Sequence, residues 1–197
     1  DTWDLRLYHA TVYEVLDRFK ARVRGYPQAP GAPVFFEVKR RYNDVISKTR
    51  GAVKGDWAPL IEDARVAVER CKGQPAIERF IALTHTHHLA PKVIVRYERE
   101  AWMSTLDDYA RVTFDTRIRG QAMERPSLHG DPTAWRAADD ATMMKSDGSH
   151  TILELKFTNR VPTWMQGVVK RFELYRRAFS KYGCVIRSLR ATPGLRM

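Results

Sequence analysis

The chain has 197 residues, 44% of them hydrophobic, and 34 lysines and arginines against 23 acidic residues, a formal net charge of +11. This length and apolar fraction suit one domain over residues 1–197 with a packed core, and exclude global disorder. The charge points to an anionic partner: nucleic acid, an anionic membrane or phosphate-rich small molecules.

Cys71 and Cys184 lie far apart and outside any CxxC pattern. They argue against a disulfide framework or zinc site and read as reduced thiols of a cytoplasmic protein. No apolar run approaches the about 18–20 residues that cross a bilayer. The opening DTWDLRLYHA lacks the basic and apolar regions of a signal peptide. Its abrupt DT reads as a start cut into a domain.

RFKARVRGY (18–26) is the first predicted strand. There Arg18, Lys20, Arg22 and Arg24 alternate with Phe19, Ala21 and Val23. A strand would carry the cations on one face and the apolar side chains on the other. PQAPGAP (27–33) suits a loop between strands. VFFEVKRRY (34–42) and VISKTRGAV (45–53) follow as strands. The period then changes. In DWAPLIEDARVAVERC (56–71) Asp56 serves as an N-cap, and Leu60, Ala64, Ala67 and Val68 share a helical face. PAIERFIALTHTHHL (75–89) is a second helix with Pro75 in its first turn.

Strands resume in KVIVRYEREAWM (92–103) and YARVTFDTRIRGQ (109–121). Residues 122–150 form an irregular excursion, and TILELKFTN (151–159) is the last clear strand. PTWMQGVVKRFELYRRAFSKYG (162–183) reads as one long amphipathic helix ending at Gly183. The tail from Val185 adds a short strand or frays. Strands grouped around helices, without βαβ alternation, predict an α+β fold with a largely antiparallel sheet.

The opening alternation recurs. Phe35, Glu37, Lys39 and Arg41 oppose Val34, Phe36 and Val38. Arg111, Thr113, Asp115, Arg117 and Arg119 oppose Val112, Phe114 and Ile118. Glu154 and Lys156 oppose Leu153, Leu155 and Phe157, and Tyr97 shares a face with Arg99. A solvated sheet face backed by helices is one reading. The other turns the charged faces inward, closing the sheet into a barrel with a basic lumen of water and anions. Arginine suits bidentate phosphate contact. Carboxylates such as Glu37 and Glu154, isolated among cations, then suit a divalent ion that bridges phosphates.

These residues resemble the VTC domain, the polyphosphate polymerase domain of vacuolar transporter chaperone proteins and their bacterial relatives, within the triphosphate tunnel metalloenzymes (CYTH-like fold). The resemblance spans nearly the whole chain. DT with DLRLY resembles the end of a YFDT…Y segment, and Arg22, Arg24 and Tyr26 an RxRxY strand. Glu37 with Lys39, and Lys48 with Arg50, match two successive strands. Tyr97 and Arg99 match a YxR element, Arg111 and Asp115 an RVxxD strand, and Glu154 and Lys156 an LExK strand. Ser180, Lys181 and Tyr182 match an SKY segment.

The resemblance implies an antiparallel β-barrel tunnel with flanking helices. It also implies transfer of the γ-phosphate of ATP to a growing polyphosphate chain, with Mn²⁺ or Mg²⁺ held at Glu154. Arg22, Arg24, Lys39, Lys48, Arg99, Arg111 and Lys181 would neutralise phosphate oxygens, with Lys156 beside Glu154. Arg50, Tyr97 and Ser180 join them as binding residues. Glu37 is a second metal or water ligand, or a salt-bridge partner orienting Lys39. Arg18 and Lys20 lie nearer the mouth. The family's first strands precede Asp1, so the chain reads as truncated at its N-terminus relative to the family.

A tripolyphosphate or polyphosphate hydrolase and a non-catalytic polyphosphate-binding module are the alternatives on the same fold. Nucleic acid fits less well, because Glu37, Asp115 and Glu154 would repel its backbone. No protein partner is indicated. His85, His87 and His88 lack a converging ligand spacing and read as a polar helix end.

Overall fold

Two antiparallel sheets with flanking helices make up the fold of the computed structural model, which describes residues 1–26, 31–106 and 109–190. The chain divides into two compact units. One takes Asp1–Ile94 and Ala122–Thr133, and the other Val95–Gln121 and the described residues from Ala134 on.

The first unit opens with helix α1 (Arg6–Val12), a stretch to which the sequence pattern assigned no element. The residues just before it satisfy the N–H groups of its first turn. The Thr2 hydroxyl accepts from Arg6 N, and the Asp1 carboxylate accepts from Leu7 N and Tyr8 N. Strands β1 (Asp17–Arg24), β2 (Val34–Tyr42) and β3 (Val45–Val53) then pair antiparallel in the order β1-β2-β3. The expected 27–33 loop lies mostly outside the described residues.

The predicted helix over 56–71 divides in two. Helix α2 (Pro59–Glu62) begins behind Ala58, not at Asp56, and α3 (Ala64–Cys71) is capped by Asp63, which accepts from Arg65 N. Helix α4 (Pro75–Thr86) follows. One face of the sheet packs on these helices: Val34, Phe36, Val38 and Val53 join Leu60, Ala67, Cys71, Ile77, Phe80 and Ile81 in the core. Gly51 permits the approach of α4, since a β-carbon there would collide with the Ile77 side chain. Burial at about 25 cal/mol per Å² drives this packing. The alternate residues of the strands are left on the other face.

The second unit contains β4 (Val93–Met103), which starts just before the unit's first residue, and β5 (Ala110–Ala122), β6 (Arg136–Ala137), α5 (Ala141–Met144) and β7 (Ile152–Phe157). Helices α6 (Thr163–Arg171) and α7 (Lys181–Arg190) complete it. Strand β5 is central: β4 flanks one edge, while β7 and β6 pair with successive parts of the other. The excursion over 122–150 thus carries a two-residue strand and a short helix.

The single helix expected over 162–183 is two helices, and the tail from Val185 to Arg190 is helical, not a strand. After α6, Glu173 takes φ 48°. Its N–H donates to Lys170 O and that of Leu174 to Val169 O, a Schellman closure. Alternation in β5 also fails past Asp115. Arg99 meets Asp115, but the adjacent Glu98 meets Arg117. Arg117 and Asp115 therefore face opposite sides. Arg117 has φ 53°, the mark of a bulge, and Ile118 N donates to the buried Asp139 carboxylate there. Beyond the bulge Gly120, like Asp115, looks onto α7, against Val185.

Candidate functional site

Each unit presents a charged sheet face. In the first, antiparallel register sets residues in cross-strand rows: Lys20–Lys39–Lys48, Arg22–Glu37–Arg50 and Arg24–Phe35–Ala52. Like charges in one row are unfavourable unless compensated. Glu37 supplies one compensation. It is 2% exposed and meets Arg22 at 2.5 Å, Lys48 at 2.8 Å and Arg50 at 3.5 Å. Burial pushes its carboxyl up, but hydrogen bonds and charges from Lys48 and Arg22 outweigh burial and hold it below its ordinary value.

Glu37 makes no ion pair with Lys39 among the described residues. Aromatic rings brace two arginines: Arg50 lies 3.5 Å over Phe35 and Arg24 4.7 Å over Tyr26. Lys20 and Lys39 face each other with no carboxylate in their row. Burial, then Lys39, Arg18 and Arg22, lower the pKa of Lys20. The row concentrates positive charge that no carboxylate within it offsets.

In the second unit Asp115 is the organiser, a residue placed on the charged face by its sequence period yet given no role there. It is fully buried. Arg99 grips it bidentately at 2.6 and 2.7 Å, and Lys181, the first residue of α7, reaches it at 2.5 Å. The Lys181 ammonium also lies 4.7 Å from the Tyr97 ring centre, and Arg99 5.4 Å. Burial raises the Asp115 carboxyl, and Arg99 and Lys181 more than reverse that.

Glu154 stands cross-strand from Thr113, and Lys156 from Arg111. Glu154 is 41% exposed, with Lys156 at 3.1 Å and Arg99 at 3.5 Å. Burial raises its pKa, but Lys156 and the charges of Arg99 and Lys181 leave it below the ordinary value. Ser180 acts on the backbone beside it, where its hydroxyl accepts from Gly183 N and caps α7.

The expected site residues thus fall into two groups. Arg22, Arg24, Glu37, Lys39, Lys48 and Arg50 share the face of the first sheet. Tyr97, Arg99, Arg111, Glu154, Lys156 and Lys181 gather around β5 with Asp115. Among the described residues no three His, Cys, Asp or Glu side chains converge as a metal cage. An Mg²⁺-like ion needs no such cage, since one or two carboxylates with substrate phosphates and water suffice. Cations meet the oxygens of both carboxylates, but Glu154 is half-exposed and so fits that mode, whereas Glu37 is buried beneath its cations.

The model of the VTC domain family matches residues 1–190. No curated protein matches the chain. No helix among the described residues is long and apolar enough to cross a membrane.

Proposed function

Because the chain belongs to the VTC domain family, we propose that it is a polyphosphate polymerase, passing the γ-phosphate of ATP to a polyphosphate chain in a basic tunnel. Membership supports a polyphosphate-related function and a phosphotransferase type of enzyme. One observation carries the finer reading: in both sheets a face rich in cations is arranged around a single buried carboxylate, Glu37 or Asp115. Each such face, taken by itself, offers cations suited to phosphate oxygens.

Phosphoryl transfer asks a protein mainly for positioning and for stabilisation of charge on the phosphate oxygens. Lys20, Lys39 and Lys48 offer a row of ammonium groups across three strands. Arg22 and Arg50 keep part of their donor capacity beyond Glu37. Arg99 and Lys181 do so beyond Asp115, and Arg111 and Lys156 flank each other. Glu154 would hold the divalent ion, Mn²⁺ or Mg²⁺, which supplies Lewis-acid neutralisation of phosphate charge when bound.

Incubation with ATP and Mn²⁺ is expected to give ADP and long acid-labile phosphate chains. Orthophosphate without chains would assign a hydrolase instead. Tight, salt-sensitive polyphosphate binding without turnover would assign a binding module.

A further inference from the structure

We propose that Asp115 is a positioning residue, which never meets the phosphates itself but presents Arg99 and Lys181 to them as a fixed pair. The proposal rests on the polyphosphate reading above and refines it.

Asp115 is fully buried, so a ligand cannot touch it. Its oxygens draw together groups from separate elements: the Arg99 guanidinium of β4 and the Lys181 ammonium at the start of α7. The bidentate bond fixes the plane of the guanidinium, which a single contact would leave free to turn. The Tyr97 ring lies near both cations.

The charge does not cancel. Arg99, Lys181 and Lys156 meet the two carboxylates Asp115 and Glu154, one cation in excess, and Arg99 and Lys181 keep 20% and 22% exposure. Both groups have more N–H donors than Asp115 uses. Side chains this long lose much freedom when an anion orders them. Here Asp115 has ordered them in advance, which is how preorganisation raises affinity. The same carboxylate joins β5 to α7, so displacing it would move both cations.

A purely electrostatic role and a positioning role predict opposite signs. Removing a negative charge from a basic site strengthens polyanion binding if Asp115 acts only through its charge. Asp115→Asn and Asp115→Glu in the full chain would be titrated with tripolyphosphate and with long-chain polyphosphate, and affinity expressed per folded molecule. Asp115→Asn is expected to weaken binding about tenfold despite the added positive charge. Its affinity should also depend less steeply on salt, since phosphate contacts are lost.

Asp115→Glu keeps the charge and moves the carboxylate by one methylene. It is expected to weaken binding too, and it decides the matter if the Asn variant does not fold. A folded variant that binds as tightly as the native chain, or more tightly, overturns the positioning role. A native chain that binds neither anion overturns the polyphosphate reading, a separate result.

Discussion

Arg22 and Glu37 are cross-strand partners whose side chains meet at 2.5 Å, and the carboxylate is 2% exposed while the arginine is 56% exposed. The buried member of the pair is the anion. It sits beneath a layer of cations, with Lys48 and Arg50 on its other side. Glu37 thus lets one strand face hold Arg22 while its neighbours present more positive charge.

Glu37→Gln should destabilise the protein by about 2 kcal/mol, below the usual cost of breaking a fully buried pair because the cations reach water. Urea denaturation at low salt measures it. Tripolyphosphate should restore more stability to the variant than it adds to the native chain, since a bound anion substitutes for the carboxylate. Equal unfolding midpoints for variant and native protein would remove Glu37 from this role.

The carboxyls of Glu37, Asp115 and Glu154 all lie below their ordinary values in the folded state. As pH falls, the unfolded chain therefore takes up protons first. The stability that these groups contribute is complete at neutral pH and drains away below about pH 4, through their lowered native values. Unfolding free energies at neutral pH and on either side of pH 4 should show that slope. A flat profile would contradict it.

Much of this arrangement was legible because strands encode a period of two. The opposed faces of β1, β2 and β3 follow from alternation alone, and hydrophobic burial fixed which face met the helices. Apart from the break at Asp63, which runs through extended backbone, the breaks were illegible for one shared reason. Helices α1, α4, α5 and α6 close with Glu14, His88, Lys145 and Glu173 at positive φ. Glycine or asparagine ordinarily marks such a closure, and none stands at these positions. Arg117 hides the bulge in β5 in the same way. Asp115 was visible as a charged-face residue, but its partner Lys181 comes from a helix whose placement no local pattern encodes.

Glu154→Gln should abolish metal-dependent turnover and leave the fold intact. Glu154 is half-exposed and its ion pairs are short of full burial, so the stability cost should stay within about 1 kcal/mol. Turnover against Mn²⁺ concentration and a thermal melt together check this. Unaltered turnover would take the metal away from Glu154.

Lys20→Met should separate stability from binding. Lys20 stands opposite Lys39, with Arg18 and Arg22 near, and these cations together with burial disfavour its charged form. Removing the charge should stabilise the free protein by up to about 1 kcal/mol, the scale of a cross-strand pair. The same change should weaken polyphosphate binding, because the lysine row loses a member. Melts without ligand and titration with polyphosphate read the two effects. A variant less stable than the native protein would mean that Lys20 packs more than it repels.

Ser180 tests whether a residue matched by family resemblance works on phosphate or on the backbone. Its hydroxyl accepts from Gly183 N while its carbonyl accepts from Cys184 N, which places it at the N-cap of α7. Ser180→Ala should cost about 1 kcal/mol of stability through the lost cap. Because α7 carries Lys181 at its first position, some affinity should be lost with it. Ser180→Asp restores the cap and places a negative charge at the helix N-terminus. If Ser180 only caps, the Asp variant regains stability and keeps native affinity apart from a modest charge effect. If the hydroxyl also touches phosphate, Asp stabilises the helix yet binds polyphosphate more weakly than Ala does. Comparing the affinities of the two variants, each corrected for the folded fraction, distinguishes these roles.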